Sequence, residues 1–91
     1  SGKVPLVMEP CQVSDLIQQA IDSVQALADQ FQITLAVTSF SIEVFAAPDA
    51  IVQTLINLLS NAIKFSEANR TVWLSVEPRD IELRFAVKDQ G

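Results

Sequence analysis

The segment 49–66, DAIVQTLINLLSNAIKFS, constrains this chain more than any other. At about 100° per residue, Ile51, Val52, Leu55, Ile56, Leu58, Leu59, Ala62, Ile63 and Phe65 sweep out one broad arc, while Gln53, Asn57, Ser60, Asn61 and Lys64 gather on the other side. The spacing predicts an amphipathic helix whose apolar arc packs on a core. Its polar arc is less ordinary. An exposed helix face is commonly filled with Glu and Lys at paired spacings, whereas this one carries two amides one turn apart and a lysine three residues on. Asn is a mediocre helix former because its side chain competes with the backbone, so two of them on one mid-helix face ask for a reason. Amide oxygens suit a hard cation such as magnesium, which keeps several of its waters, and the ammonium of Lys64 suits a phosphate. A solvated face that is simply rich in amides accounts for the same spacing.

Composition narrows the setting. Ninety-one residues make one small domain, and a hydrophobic fraction of 49% against 19% charged describes a globular chain with a real core, not a disordered segment. No apolar run reaches the roughly 18 residues of a membrane span, and SGKVPLVMEP has neither the basic head nor the apolar centre of a secretory signal. These features point to the cytoplasm. Cys11 is the single cysteine, so an internal disulfide is excluded and a packing role is expected. Eleven acids against six bases give a net charge of −5 and a sequence pI near 4.3, a balance that repels nucleic acid and anionic membrane. Lys64 is conspicuous against that background. With no histidine in the chain, histidine general acid/base catalysis, histidine metal ligation and phosphohistidine chemistry on this chain are excluded.

In chain order, Ser1-Gly2 resembles the scar of tag removal, and Leu6 to Glu9 predict a short edge strand closed by Pro10. Ser14 or Asp15 is placed to cap a helix in which Leu16, Ile17, Ala20, Ile21, Val24, Leu27, Ala28 and Phe31 recur at helical spacing. Alternation over Ile33, Leu35 and Val37, and again over Ile42 and Val44, predicts two strands separated by Ser39-Phe40-Ser41. Ala47-Pro48 breaks that pattern, and Asp49 is expected to cap the amide-faced helix. After a loop at Glu67 to Arg70 a hairpin follows. Val72, Leu74 and Val76 face the core, Pro78-Arg79-Asp80 makes the turn, and the return strand offers Ile81, Leu83, Phe85 and Val87 to the same side. Trp73 falls on the wet face, placed to lie along the stem of Arg84. The order predicts an α/β two-layer sandwich, a mixed sheet with two helices on one face.

At this point the residues carry a family likeness. Asn57-Leu58-Leu59-Ser60-Asn61-Ala62-Ile63-Lys64-Phe65 closely resembles the N-box of the sensor histidine kinases of bacterial two-component systems, a box that would span residues 53–65 here. Asp89-Gln90-Gly91 resembles the first half of their DxGxG motif, the G1 box, at the end of the return strand where that family places it. The element order from about Leu6 to Gly91 is similar to the first half of the ATP-binding catalytic domain, an incomplete Bergerat fold of the kind shared with gyrase and mismatch-repair ATPases. Residues 1–91 would then be a partial histidine kinase ATP-binding domain.

The resemblance implies roles residue by residue. Asn61 would contribute to the magnesium that bridges the ATP phosphates, Asn57 would assist that ion or its waters, and Lys64 would contact the phosphates. Asp89 would accept a hydrogen bond from the adenine amine, Gly91 would let the backbone approach the base, and Phe65 would pack beside the nucleotide, although core packing suits it equally. Related hydrolases carry Glu where Asn57 stands, to activate water, and an amide cannot accept a proton in that way. The resemblance therefore favours a kinase, which positions a phosphoryl donor and keeps water from using it. Its cofactors would be ATP and Mg2+; its partners would be the parent's dimerisation domain with the phosphoaccepting histidine, and a response regulator. The second glycine of DxGxG, the lid and the G2 box would follow Gly91. The 91 residues alone are expected to be inactive and to bind nucleotide weakly. Two rival readings remain at this stage, a self-associating interaction module with uncovered apolar surface and an unrelated α/β domain with a chance N-box.

Overall fold

The structure is a computed structural model that describes residues 6–38, 42–79 and 82–89, with side chains as far as Val76. Seven elements follow one another: β1 (Glu9–Gln12), α1 (Val13–Gln30), β2 (Thr34–Thr38), β3 (Glu43–Ala46), α2 (Pro48–Phe65), β4 (Thr71–Arg79) and β5 (Glu82–Asp89). The strands form an antiparallel ribbon, β1 with β3, and a mixed three-stranded sheet in the order β2-β4-β5. Within that sheet β2 runs parallel to β4, Leu35 opposite Val72 and Val37 opposite Leu74, while β5 runs antiparallel to β4, Val76 opposite Phe85 and Leu74 opposite Val87. Both helices pack on one face. The expected α/β two-layer arrangement is what the chain adopts, with its strands divided between the ribbon and the sheet.

The core is where the periodic residues meet. From α1 come Val13, Ile17, Ala20, Val24 and Ala28, from α2 Leu55, Leu59 and Ile63, and from the central strand Val72, Leu74 and Val76, closed at one end by Ile33. Small Ala20 and Ala28 are fully buried, and their missing bulk lets α1 approach its neighbours closely. Leu58 and Phe65 depart from the expected arc, since they are 43% and 84% exposed. Leu58 lies at the margin of the stripe and Phe65 is the last residue of α2, past the edge of the sheet packing.

The helix ends are built differently from the expectation. α1 begins at Val13 with Gln12 as an extended N-cap that makes no side-chain capping bond, so Ser14 and Asp15 sit inside the first turn. Asp15 there favours the helix dipole, and the Val13 N–H donates to the carbonyl of Ile42 at 2.9 Å, which gives one of the first-turn donors a partner. At the other end Gln32 adopts φ 59°, the Gln32 N–H donates to the Asp29 carbonyl and the Ile33 N–H to the Ala28 carbonyl. Those two bonds are a Schellman closure. α2 likewise starts earlier than expected: Ala47 is the N-cap and Pro48 occupies the first turn, where its lack of an N–H and its fixed φ suit the helix. Asp49 stands within that turn.

Two prolines read as strand breakers lie inside strands. Pro10 falls in β1, opposite Phe45, and β1 occupies residues 9–12 instead of 6–9. Pro78 falls in β4, opposite Leu83. Each tolerates the missing donor because, among the described residues, β1 pairs on one side only and the pairing of β2 with β4 ends at Thr38–Ser75, which leaves no described partner on that edge of β4 at residue 78. The hairpin connection therefore falls at residues 80–81, outside the described residues, as do Ile81, Gly91, Ser1-Gly2 and Ser39-Phe40-Ser41. Trp73 is 39% exposed on the face away from the helices and pairs with Lys88. Arg84 is opposite Glu77, four residues along, so the expected Trp73–Arg84 neighbourhood is not formed by the register. Among the described residues no helix is long and apolar enough to cross a membrane.

Candidate functional site: the amide face of α2

α2 is positioned by what it buries. Leu55, Leu59 and Ile63, spaced by four, are driven against α1 and the sheet, and a helix clamped along one stripe must present the opposite stripe to solvent. Gln53, Asn57, Asn61 and Lys64 are exposed on that opposite stripe, and Ser60 is half-buried beside them. The hydroxyls near this face are already engaged. Ser60 Oγ donates to the Asn57 carbonyl at 3.2 Å, Thr54 Oγ1 to the Ala50 carbonyl at 2.9 Å and Ser66 Oγ to the Ala62 carbonyl at 2.6 Å. The amides and the lysine are thus the groups left to act outward.

Asn57 has one side-chain partner among the described residues: Gln53 Nε2 donates to Asn57 Oδ1 at 3.2 Å. That contact was not anticipated from the sequence, although the i, i+4 spacing of Gln53 and Asn57 is the signal that would have shown it. No side-chain hydrogen bond or ion pair engages Asn61 or Lys64 among the described residues, so the Asn61 amide and the Lys64 ammonium are available to a ligand. Between Lys3 and Lys64 the sequence holds six acids and no base. Lys64 is consequently the first positive charge the folded chain offers after its N-terminus. It also stands in the last turn of α2, where a cation complements the helix dipole.

The topology brings the second motif to the same end of the molecule. α2 ends at Phe65, a short link leads to Thr71, and β4 then runs away from that end. β5 returns antiparallel until Asp89 pairs with Val72, the second residue of β4. The C-terminal half of α2 and the end of β5 therefore share one end of the sheet, and α2 packs against β5. Asp89 is reached by the described backbone and Gly91 is not. Phe65, highly exposed beside Lys64, is free of the core, which removes core packing as the reason for an aromatic there. Elsewhere, a hollow of about 320 Å³ opens at the start of α2, bordered by Leu6, Val7, Ala47 and Pro48, with Gln53 among its lining residues. It is largely apolar, although Glu9 and Asp49 also line it, and it lies at the other end of α2 from Lys64.

The donor set on α2 fits magnesium held together with a polyphosphate. A neutral amide would offer oxygen without the carboxylates a protein-only cage needs, and Mg2+ characteristically takes few protein ligands and completes its shell with phosphate oxygens and water. Among the described residues no cluster of three acidic, cysteine or histidine side chains could hold a metal by itself.

The sequence pattern of the histidine kinase-, DNA gyrase B- and HSP90-like ATPases matches residues 46–91, half of the chain and all of the amide-faced helix and hairpin. The chain belongs to this ATPase family. The circadian input-output histidine kinase CikA of Synechococcus elongatus is 37% identical over the whole of this chain, which spans 13% of that kinase. Among solved structures, a histidine kinase from Burkholderia phymatum superposes with a TM-score of 0.86 at 24% identity, covering 94% of this chain and 41% of its own. The histidine kinase ThkA in complex with the response regulator TrrA superposes at 0.82 with 22% identity, covering 92% of this chain and 26% of its own. These superpositions establish the fold. The family match and the 37% identity to a histidine kinase make this chain a fragment of an ATP-binding domain of the histidine-kinase type, and it spans less than a fifth of the length of the curated relatives it matches.

Proposed function

We propose that this segment holds Mg-ATP between the C-terminal half of α2 and the end of β5, as the phosphoryl-donor site of a two-component sensor histidine kinase. The observation that carries the proposal is the unengaged Asn61 and Lys64 beside Asn57 on the stripe of α2 opposite its buried one, at the sheet end to which β5 returns. In this reading Asn61 supplies an oxygen to the metal, Asn57 reaches the ion or its waters, and Lys64 faces the phosphates. Asp89 takes the adenine amine, Gly91 allows the backbone close to the base, and Phe65 lies beside the nucleotide. Bound Mg-ATP supplies the transferable phosphoryl group, and the metal neutralises charge on it.

The chain's own residues position and shield the donor. Asn57 cannot remove a proton from water, so the site holds ATP without a base to spend it on hydrolysis. Phosphoryl transfer is dominated by placement and electrostatics, and the acceptor histidine has to come from elsewhere in the protein, since this sequence has none. The proposed partners are therefore a dimerisation domain bearing that histidine and a response regulator, in the cytoplasm. DNA and RNA are not expected partners at a net charge of −5.

Titration of Mg-ATP into the 91-residue chain, followed by backbone amide shifts, tests the site. Shifts centred on Asn57, Asn61, Lys64 and Asp89 are expected; a response confined to the hollow at the start of α2 would remove the assignment, and none at millimolar nucleotide would make the 91 residues only a scaffold, leaving the complete domain to decide. A second reading, self-association, is favoured by the exposure of Phe45 on the β1–β3 ribbon, 69%. Light scattering over a concentration series decides it, because a constant monomer mass leaves that surface without a partner of its own kind.

A further inference from the structure

Asn57 is the only residue of the proposed ligand set whose side chain is held by another side chain among the described residues. We propose that Gln53 is a positioning residue of the nucleotide site, turning the Asn57 oxygen back along α2 so that Asn57 meets the ligand as a donor. The inference rests on the Mg-ATP reading of this face.

The direction of the Asn57 amide decides which of its atoms faces the ligand. A carboxamide has one oxygen with two lone pairs and one nitrogen with two hydrogens. Gln53 Nε2 donates to Asn57 Oδ1 at 3.2 Å, so the oxygen is directed toward the N-terminal turn of the helix, and the amide plane puts Nδ2 on the other side. Nδ2 has no partner among the described residues. An N–H donor cannot ligate a cation, nor donate to a water oxygen already given to the metal; it can donate to a phosphate oxygen. Asn61, one turn further and without a side-chain partner among the described residues, keeps a free oxygen for the ion. In place of a contact to the ion or its waters, Asn57 is thereby given to the phosphate oxygens, and Asn61 to the metal. Without Gln53 the Asn57 amide is free to turn over and present the wrong atom, which costs binding entropy and part of the contact.

The test uses the full-length protein carrying this segment, with Mg-ATP and metal-free ATP each titrated calorimetrically. Gln53→Met keeps the length and helix propensity of the side chain and removes its N–H. Both Gln53 and Asn57 are exposed, so thermal unfolding without nucleotide should be unchanged, which separates positioning from folding. The expected result is a loss of about three- to tenfold in Mg-ATP affinity that vanishes when the same substitution is made in an Asn57→Ala background. An equal loss in both backgrounds would overturn the inference, because Gln53 would then act directly or through the apolar hollow it borders. Unchanged affinity in Gln53→Met, with Asn57→Ala still impaired, would overturn it as well while leaving the nucleotide site standing. If the unsubstituted protein binds no Mg-ATP, the site reading itself falls and the inference with it.

Discussion

Asn61 carries the sharpest residue-scale expectation. An amide oxygen contributed to a metal cannot be replaced by a methyl group, so Asn61→Ala should weaken Mg-ATP binding by about tenfold or more. Its melting temperature should stay at the wild-type value, since the side chain is exposed and buries nothing. A calorimetric titration beside a thermal melt reads both quantities, and a variant that binds normally would move the metal away from α2. Lys64 is a different kind of contact. An exposed ammonium acting on phosphate is screened by salt, so Lys64→Ala should cost roughly two- to fivefold at low ionic strength and progressively less as salt is raised. A loss that does not shrink with salt would mean that Lys64 works by something other than its charge. These residues were legible in the sequence because a strongly periodic helix fixes which side chains share a face. The Gln53–Asn57 contact was equally present as a four-residue spacing, but its meaning depends on which amide atom donates, and that requires coordinates.

At the scale of elements, the long periodic segments announced themselves and their ends did not. The buried stripes of α1 and α2 match the expected apolar positions closely, because burial repeats every turn and many residues vote together. An N-cap is one residue, and here a local preference lost to context: Asp49 is a good capping residue, yet Pro48 fits the first turn better and pushes the cap back to Ala47. Pro10 and Pro78 misled in the same way, since proline breaks a strand only where both edges need donors. The parallel pairing of β2 with β4 depends on the crossover through α2, which no short pattern encodes. Two stability experiments belong here. Leu59 is fully buried at the junction of α2 with the core, so Leu59→Ala should cost about 2–5 kcal/mol by loss of apolar transfer and an unfilled cavity. Gln32 instead holds a left-handed conformation that penalises a side chain. Gln32→Gly should stabilise the α1 terminus by up to about 1 kcal/mol once the extra freedom of glycine in the unfolded chain is subtracted. Urea unfolding measures both changes, and a destabilised Gln32→Gly would show that the Gln32 side chain contributes something its backbone does not.

Across the whole molecule, the proposed site would link function and stability through one end of the sheet. The family match ties residues 46–91 to a nucleotide-binding fold, and the proposed ligands come from α2 and from β5, elements that pack on each other and are held together by the fold. A ligand that touches both binds the folded chain and not the unfolded one, so it must raise the unfolding free energy by RT ln(1 + [L]/Kd). With free Mg-ATP at ten times its Kd the gain is about 1.4 kcal/mol, which for a domain of this size corresponds to a rise in melting temperature of roughly 6–11 °C. The same linkage dissects the site. Removing magnesium with a chelator should collapse most of the rise while leaving the nucleotide-free melt in place, because the fold contains no structural metal cluster among the described residues. Asn61→Ala should behave like wild-type protein in chelator, and Leu59→Ala should start lower but keep the full increment at saturating ligand. A rise that survives chelation would place binding in the contacts of the base and phosphates alone; a rise equally present in Asn61→Ala would sever the link between the amide face and the nucleotide, since linkage allows no stabilisation from a residue the ligand does not use.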